Sequence, residues 1–426
     1  MTTPVSPVKR RRTLVPGGKL FFSIFQKIAT FRKRIKKIFT QHPEFCAMSG
    51  QASSRYLSVD FYRGLTIAFM IIVNTPGSWK HVYPPLQHAV WHGCTPTDLV
   101  FPSFMFIIGV SMWFAFARYD RKWTTEARNK VLKRTVLLFL IGVFMYKLPF
   151  FWRDWDTARI LGVPQRLALG YGLASVLVLN LDRKKLIWAS AGLLLLYWGI
   201  LNWFAYPAGS DPYLAESSAV LRLDTWLFGT SHLYNGEING GIRYPFDPEG
   251  LLSTLPSVVT VIMGWLCGDW LGHRKNNKEK LVRELLIFGI ICAVTGLVWD
   301  LFFPINKKLW TSSYVMYAGG ISMMLLAASV WLVDVLNWRN GAGFFFTFGA
   351  NSLFAYLLSE VLIIFWDSIS WGAGDSATNV RDWIFSHAFA PIDSGELGSF
   401  LFALSYMLLC WLICRWLYVK KIFIKL

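Results

Sequence analysis

The sequence predicts an all-α polytopic membrane protein, with about ten transmembrane helices around a central polar cavity and both termini in the cytosol. Three observations carry this. Of 426 residues, 54% are hydrophobic and 17% aromatic, more apolar surface than a soluble chain of this length can bury. From Arg55 onward, long uncharged tracts recur, each close to the ~20 residues that cross the hydrocarbon core. Of the 43 Lys and Arg, 33 fall at the N-terminus or on alternate connections, which the positive-inside rule places in the cytosol.

The tracts lie near 57–77, 97–117, 131–150, 160–181, 185–206, 250–271, 282–303, 309–335, 343–366 and 397–418, the third and fourth being the least clean. The basic connections are 118–134, 183–185, 274–283, the Arg339 turn and the C-terminal tail. On the other side, two long connections, about 206–249 and 368–396, are rich in Gly, Pro, Asp and Trp and large enough to cap a site. The net charge of +18 follows this membrane pattern, so nucleic acid is not an expected partner and the lipid bilayer is.

Residues 1–54 form a basic N-terminal extension and 55–426 the transmembrane domain. The stretch 19–39 interleaves aromatic and basic residues, which suits a helix lying on an anionic membrane surface. Equally, translation starting at Met48 would leave residues 1–47 outside the native protein. Six cysteines without a CxxC pair, most in or beside apolar tracts, support neither a disulfide framework nor a zinc site, and no metal is expected.

The polar residues that interrupt the tracts carry the chemistry. The first tract opens with SVDFYRG, setting Asp60 and Arg63 three apart on one helical face, and closes with Asn74 before Thr-Pro-Gly. The stretch Gln87–Gly109 brings His88, Trp91, His92 and Asp98 to the mouth of the second tract. His92 reads as a loop residue, and Asp98 with Pro102 as the start of the helix, Asp98 capping its amides. The fourth tract enters with Arg159, Gln165 and Arg166, the sixth with Asp247 and Glu249 between prolines, and the eighth with Asn306, Lys307, Lys308 and Trp310. Asn351 and Glu360 lie in the ninth. Tracts two, four, six and eight all begin on the non-cytosolic side with their unusual polar residues, so those residues are expected to meet in a chamber open to that side.

Taken in order, SVDFYRG, IIVNTPG, QHAVWHGCTPTDLVFPSFMFIIG, RILGVPQRLALGY, YPFDPEGLLSTL, INKKLWTSSYV and FGANSLFAY resemble the heparan-alpha-glucosaminide N-acetyltransferase family of transmembrane acyltransferases, and its bacterial, amino-sugar-associated members more than the lysosomal enzyme. The likeness runs from about Arg55 to the C-terminus. It implies a multi-pass protein of the bacterial cytoplasmic (inner) membrane that uses acetyl-CoA as co-substrate from the cytosol and acetylates the amine of a glucosamine unit on the far side. The family's active-site histidine matches His88 and its partnering asparagine Asn74. Two departures stand out: the lysosomal enzyme's additional luminal domain and first helix have no counterpart expected here, and the loop between Asn74 and His88 differs in length and sequence. The second bears on the acceptor, which is expected to be an amino sugar or an amino-sugar oligosaccharide.

On this reading His88 is the general base and Asn74 holds the thioester carbonyl. Trp91, Arg166, Asp247, Glu249, Asn306, Lys307 and Trp310 line the acceptor side, and Arg63 and Asn351 the cofactor side. Direct transfer is preferred to an acetyl-His88 intermediate. A competing function of another class is a proton-coupled amino-sugar transporter, against which no inverted repeat is visible. The resemblance and the abundance of aromatic residues are compatible with a homodimer.

Overall fold

The computed structural model describes residues 56–424, apart from 151, 153, 240, 241 and 373–376; the basic extension lies outside this range. Helices occur at all ten predicted tracts: α1 (Leu57–Asn74), α2 (Val100–Ala115), α3 (Thr125–Met145), α4 (Val163–Asn180), α5 (Arg183–Trp203), α7 (Thr254–His273), α8 (Lys278–Asp300), α9 (Ser312–Val330), the pair α10 (Ala342–Ala350) and α11 (Ser352–Ser368), and α13 (Glu396–Val419). The long connections hold elements of their own, α6 (Ala219–Phe228), α12 (Val380–Ile384), and two hairpins, β1 (Glu237–Asn239) with β2 (Ile242–Arg243) and β3 (Ser370–Trp371) with β4 (Thr378–Asn379).

Among the described residues, seven helices are long and apolar enough to cross a membrane, and α10 with α11 make an eighth if a bent pair counts as one span. The chain is therefore an all-α polytopic membrane protein. Helices α3 and α4 fall outside that count; α3 carries Glu126, Arg128, Lys130, Lys133 and Arg134 in its first half. The ninth tract, expected to be one helix, bends by 82° at Asn351. Its side chain explains the break: Nδ2 donates to the Ile422 carbonyl and Oδ1 accepts from the Ile424 amide, both at 2.9 Å, so the residue ties down the C-terminal tail.

Helices α1, α2 and α7 form the centre, with 67–72% of their apolar windows buried, whereas α5 and α8 bury only 28% and present Leu, Ile, Val and Phe outward. Close approach fixes the central pair. A Cβ on Gly109 of α2 would lie 1.9 Å from the Val261 carbonyl, and one on Gly264 of α7 equally close to the Phe106 carbonyl, so the two backbones touch through glycine. Neither position has room for a side chain. This rigid pair carries, at one end, the loop that leads into α2 and contains His88.

Candidate active site

Between α1 and α2 the chain folds over one carboxylate. Asp98 lies in a short turn, Thr97–Leu99, and is 1% exposed. Its Oδ1 accepts from His88 Nδ1 at 2.7 Å, and its Oδ2 from the amides of Ala89 and Thr95 at 3.0 Å each. A buried carboxylate demands such donors, and here they come from both sides of the loop. The expected helix cap is absent, since neither the turn nor α2 has a side-chain cap. Asp98 gathers the loop and orients His88 instead.

The loop is fastened to the segment before α9. Gly93 has φ +99°, a region that favours glycine, and donates to the Ile305 carbonyl at 2.7 Å. Lys308 Nζ donates to the Val90 carbonyl at 2.6 Å. From α9, Tyr314 donates to the Asp98 carbonyl at 2.6 Å.

A carboxylate only accepts, so the 2.7 Å contact puts the imidazole proton on Nδ1 and leaves Nε2 with a bare lone pair. The His88 side chain keeps 39% of its surface open. Lys307 Nζ stands 3.4 Å from His88 Nδ1 and 4.0 Å from Asp98 Oδ1. Nδ1 has no lone pair left for the ammonium, which acts on the ring through its charge. That charge, and after it the removal of water from around the ring, lower the His88 pKa; Asp98 opposes them. If neutral His88 is the working base, activity rises with pH along an acid limb set below the ordinary imidazole value of about 6.5. Lys307→Met removes the main lowering charge, so the acid limb of kcat/KM should move to higher pH. A limb that stays in place would separate Lys307 from His88.

Asn74 ends α1, and its Nδ2 donates to Glu360 Oε1 of α11 at 3.3 Å. Beside it, the Gly77 and Ser78 amides donate to the carbonyl and hydroxyl of Ser399 on α13 at 3.2 and 3.0 Å, which fixes the exit from α1. No hydrogen bond among the described residues joins Asn74 to His88.

A second polar cluster is buried and largely self-satisfied. Arg159 grips Asp247 with Nε and Nη2 at 2.9 and 2.7 Å and reaches Glu249 with Nη2 at 2.7 Å. The Tyr146 and Tyr234 rings lie 5.1 and 4.8 Å from its guanidinium. Arg166 donates to the carbonyls of Ser253 and Gly250 and to the Ser253 hydroxyl at 3.0, 2.9 and 2.6 Å. Behind them, Asp224 of α6 accepts from the Leu251 amide at 2.9 Å through Oδ1, while its Oδ2 has no partner.

Burial pushes the Asp224 carboxyl up to about 7. The folded state thus holds a proton that the unfolded chain gives up near pH 4, so stability is lost as pH rises from about 4 to about 7. Asp224→Asn should therefore raise Tm by several degrees at pH 8 and leave it nearly unchanged at pH 4. Thermal unfolding in detergent at both pH values checks this; an equal shift at both would count against a titrating Asp224.

The model of the family described as heparan-alpha-glucosaminide N-acetyltransferase, catalytic, matches residues 55–303, more than half of the sequence. The chain belongs to this family. It is 29% identical to the human heparan-alpha-glucosaminide N-acetyltransferase over 358 residues, which is 72% of this chain and 53% of that one. The mouse protein of the same name is 28% identical over 362 residues, 73% of this chain and 54% of that one. The chain thus spans about half the length of the curated relatives it matches.

Within this family member, the matched region contains Asn74, His88, Asp98, Arg159, Arg166, Asp247 and Glu249; Asn306, Lys307, Trp310 and Glu360 lie beyond it. Of the residues expected on the acceptor side, Lys307 comes to 3.4 Å from His88 Nδ1. Trp91 is 6% exposed, its indole N–H given to the Tyr213 carbonyl at 2.8 Å and its ring packed edge-on against Phe246. Trp310 is 1% exposed, with Arg166 5.2 Å from its ring. Neither offers an open face for stacking. Asn306 is buried and braces its own turn by accepting from the Leu309 amide at 2.9 Å. Of the cofactor-side residues, Arg63 binds Asp60, the Gly349 carbonyl and the Ser111 hydroxyl, knitting α1 to α10 and α2. Asn351 is occupied by the C-terminal tail.

Proposed function

We propose that this protein is a transmembrane N-acetyltransferase that moves the acetyl group of acetyl-CoA to the amine of a glucosamine-type sugar, with His88 as general base. What supports the reading is the 2.7 Å contact between His88 Nδ1 and Asp98 in a chain whose relatives are named heparan-alpha-glucosaminide N-acetyltransferase. The neutral sugar amine attacks the thioester carbonyl, forming the C–N bond. His88 Nε2 takes the proton shed by nitrogen and returns it to sulfur as the C–S bond breaks. Asp98 keeps Nε2 unprotonated at the start and stabilises the imidazolium in between. Asn74 donates to the carbonyl oxygen as it gains charge. Glu360 holds that amide by one of its two protons.

The phosphates of CoA call for cations, which the α2–α3 connection supplies as Arg118, Arg121 and Lys122, with more on the first half of α3. The positive-inside pattern puts this end in the cytosol and His88 towards the opposite face, as in a bacterial inner membrane. A cysteine placed at exposed Lys80 should react with an impermeant reagent added outside intact cells, and one at exposed Asn276 should not. The reverse labelling pattern would invert the topology.

The deciding experiment supplies purified protein with labelled acetyl-CoA and glucosamine. Label on the sugar nitrogen, lost in His88→Ala, supports transfer. Sugar binding or transport with no CoA released would replace the reading with an amino-sugar carrier.

A further inference from the structure

The connection between α5 and α7 holds a groove of about 410 Å³ beside the apolar cluster that contains Trp91. Its size falls within the ~300–1,000 Å³ of small-ligand sites. Tyr206, Trp226 and Tyr244 line it together with Glu216, Arg222 and Thr225. Trp226 is 78% exposed and Tyr206 63%. Aromatic area of this extent in water is costly to maintain unless something covers it.

The groove is built on fixed backbone. Tyr206 donates its amide to the Ser217 carbonyl at 3.0 Å, and Ser218 caps α6 by accepting from the Leu221 amide at 3.3 Å. Leu221 lines the groove and also belongs to the apolar cluster that contains Trp91, three residues after His88, and Phe246, one before Asp247. The groove and the loop that carries His88 are therefore joined through one apolar cluster.

The lining fits a particular ligand chemistry. A pyranose ring has flat C–H faces, which aromatic rings cover, and a rim of hydroxyls, which a carboxylate accepts from and a guanidinium donates to. The groove offers all three, with the Arg222 guanidinium 5.1 Å from the Tyr206 ring. One acid and one base among the lining side chains balance, whereas a sulfated polyanion would need several unopposed cations. Aromatic residues that merely anchor a protein at the lipid interface do not need to flank a carboxylate in a concavity.

We propose that this groove is a saccharide subsite for an oligosaccharide of neutral or amino sugars, binding the units of the acceptor beyond the one that reacts. The role as acceptor subsite rests on the acetyltransferase reading; the binding of sugar rings does not.

The test uses the full chain in detergent and in nanodiscs, with a glucosamine tetrasaccharide and free glucosamine as probes. Calorimetric binding without acetyl-CoA should show the tetrasaccharide bound about tenfold more weakly by Trp226→Ala, with a comparable loss in Glu216→Gln. In turnover, Trp226→Ala should lower kcat/KM for the tetrasaccharide by the same factor and leave that for glucosamine unchanged. Tetrasaccharide binding that neither substitution weakens overturns the proposal. So does a Trp226→Ala defect confined to nanodisc incorporation, which would mark an interfacial anchor. If the substitutions weaken binding while neither sugar is acetylated, the sugar groove stands and the acetyltransferase reading falls.

Discussion

His88→Ala should lower kcat by about 10²–10⁴ with little change in the binding of either substrate, the range typical of losing a positioned general base. Asp98→Asn should cost a similar factor for a different reason. Oδ2 of Asp98 takes both backbone amides, so the amide oxygen of the asparagine is expected there, and its NH₂ then faces His88 Nδ1. An amide donor at Nδ1 forces the proton onto Nε2, and the base is blocked by its own hydrogen with the loop otherwise intact. Steady-state kinetics with the two variants checks both effects. The discriminating reading is structural: the nitrogen chemical shifts of His88 in Asp98→Asn should show the Nε2–H tautomer. A variant that retains wild-type kcat would remove Asp98 from the mechanism. Incubation with labelled acetyl-CoA and no acceptor separates the two chemical routes, because direct transfer leaves His88 unlabelled.

Much of this arrangement was legible because membrane chemistry constrains sequence strongly. Hydrocarbon thickness sets the length of the apolar tracts, and seven of the helices found at the predicted places are long and apolar enough to cross a membrane among the described residues. Pinning by the tail was not legible at Asn351, since that contact is made by residues 422 and 424, some seventy positions away. The same holds within the site. His88 could be singled out as a titratable ring at a helix mouth, but ten residues separate it from Asp98 and a capping aspartate looks the same in sequence. The pairing depends on the loop doubling back, which Gly93 and Ile305 enforce through a bond between distant segments. Arg166, Asp247 and Trp310 stand out in the sequence as polar or aromatic residues at tract ends. Sequence shows that such residues need partners, and here the partners are one another, Arg159 and backbone carbonyls. Arg159, which turned out to hold both carboxylates, carries the same signal as Arg166 and differs only in what lies opposite.

Asn74→Ala should reduce kcat by about 10²–10³, the value of one oxyanion donor, while KM for acetyl-CoA changes little. Glu360 touches Asn74 at 3.3 Å and is a positioning residue on this reading, so its effect should pass through the amide. Glu360→Leu leaves Asn74 free to rotate and should lose about tenfold in kcat, a part of what Asn74→Ala loses. Glu360→Gln keeps an acceptor oxygen for the Asn74 amide and should restore most of that loss. A purely structural role for the carboxylate would show no such rescue. In a double-mutant cycle, Glu360→Leu should add almost nothing once Asn74 is alanine, because a group that acts only through another has no effect after its intermediary is removed. Additive losses would mean that Glu360 meets a substrate directly. Thermal unfolding of each variant is the necessary control, since Asn74→Ala removes the hydrogen-bond donor from a carboxylate in a membrane helix and stability should fall together with kcat.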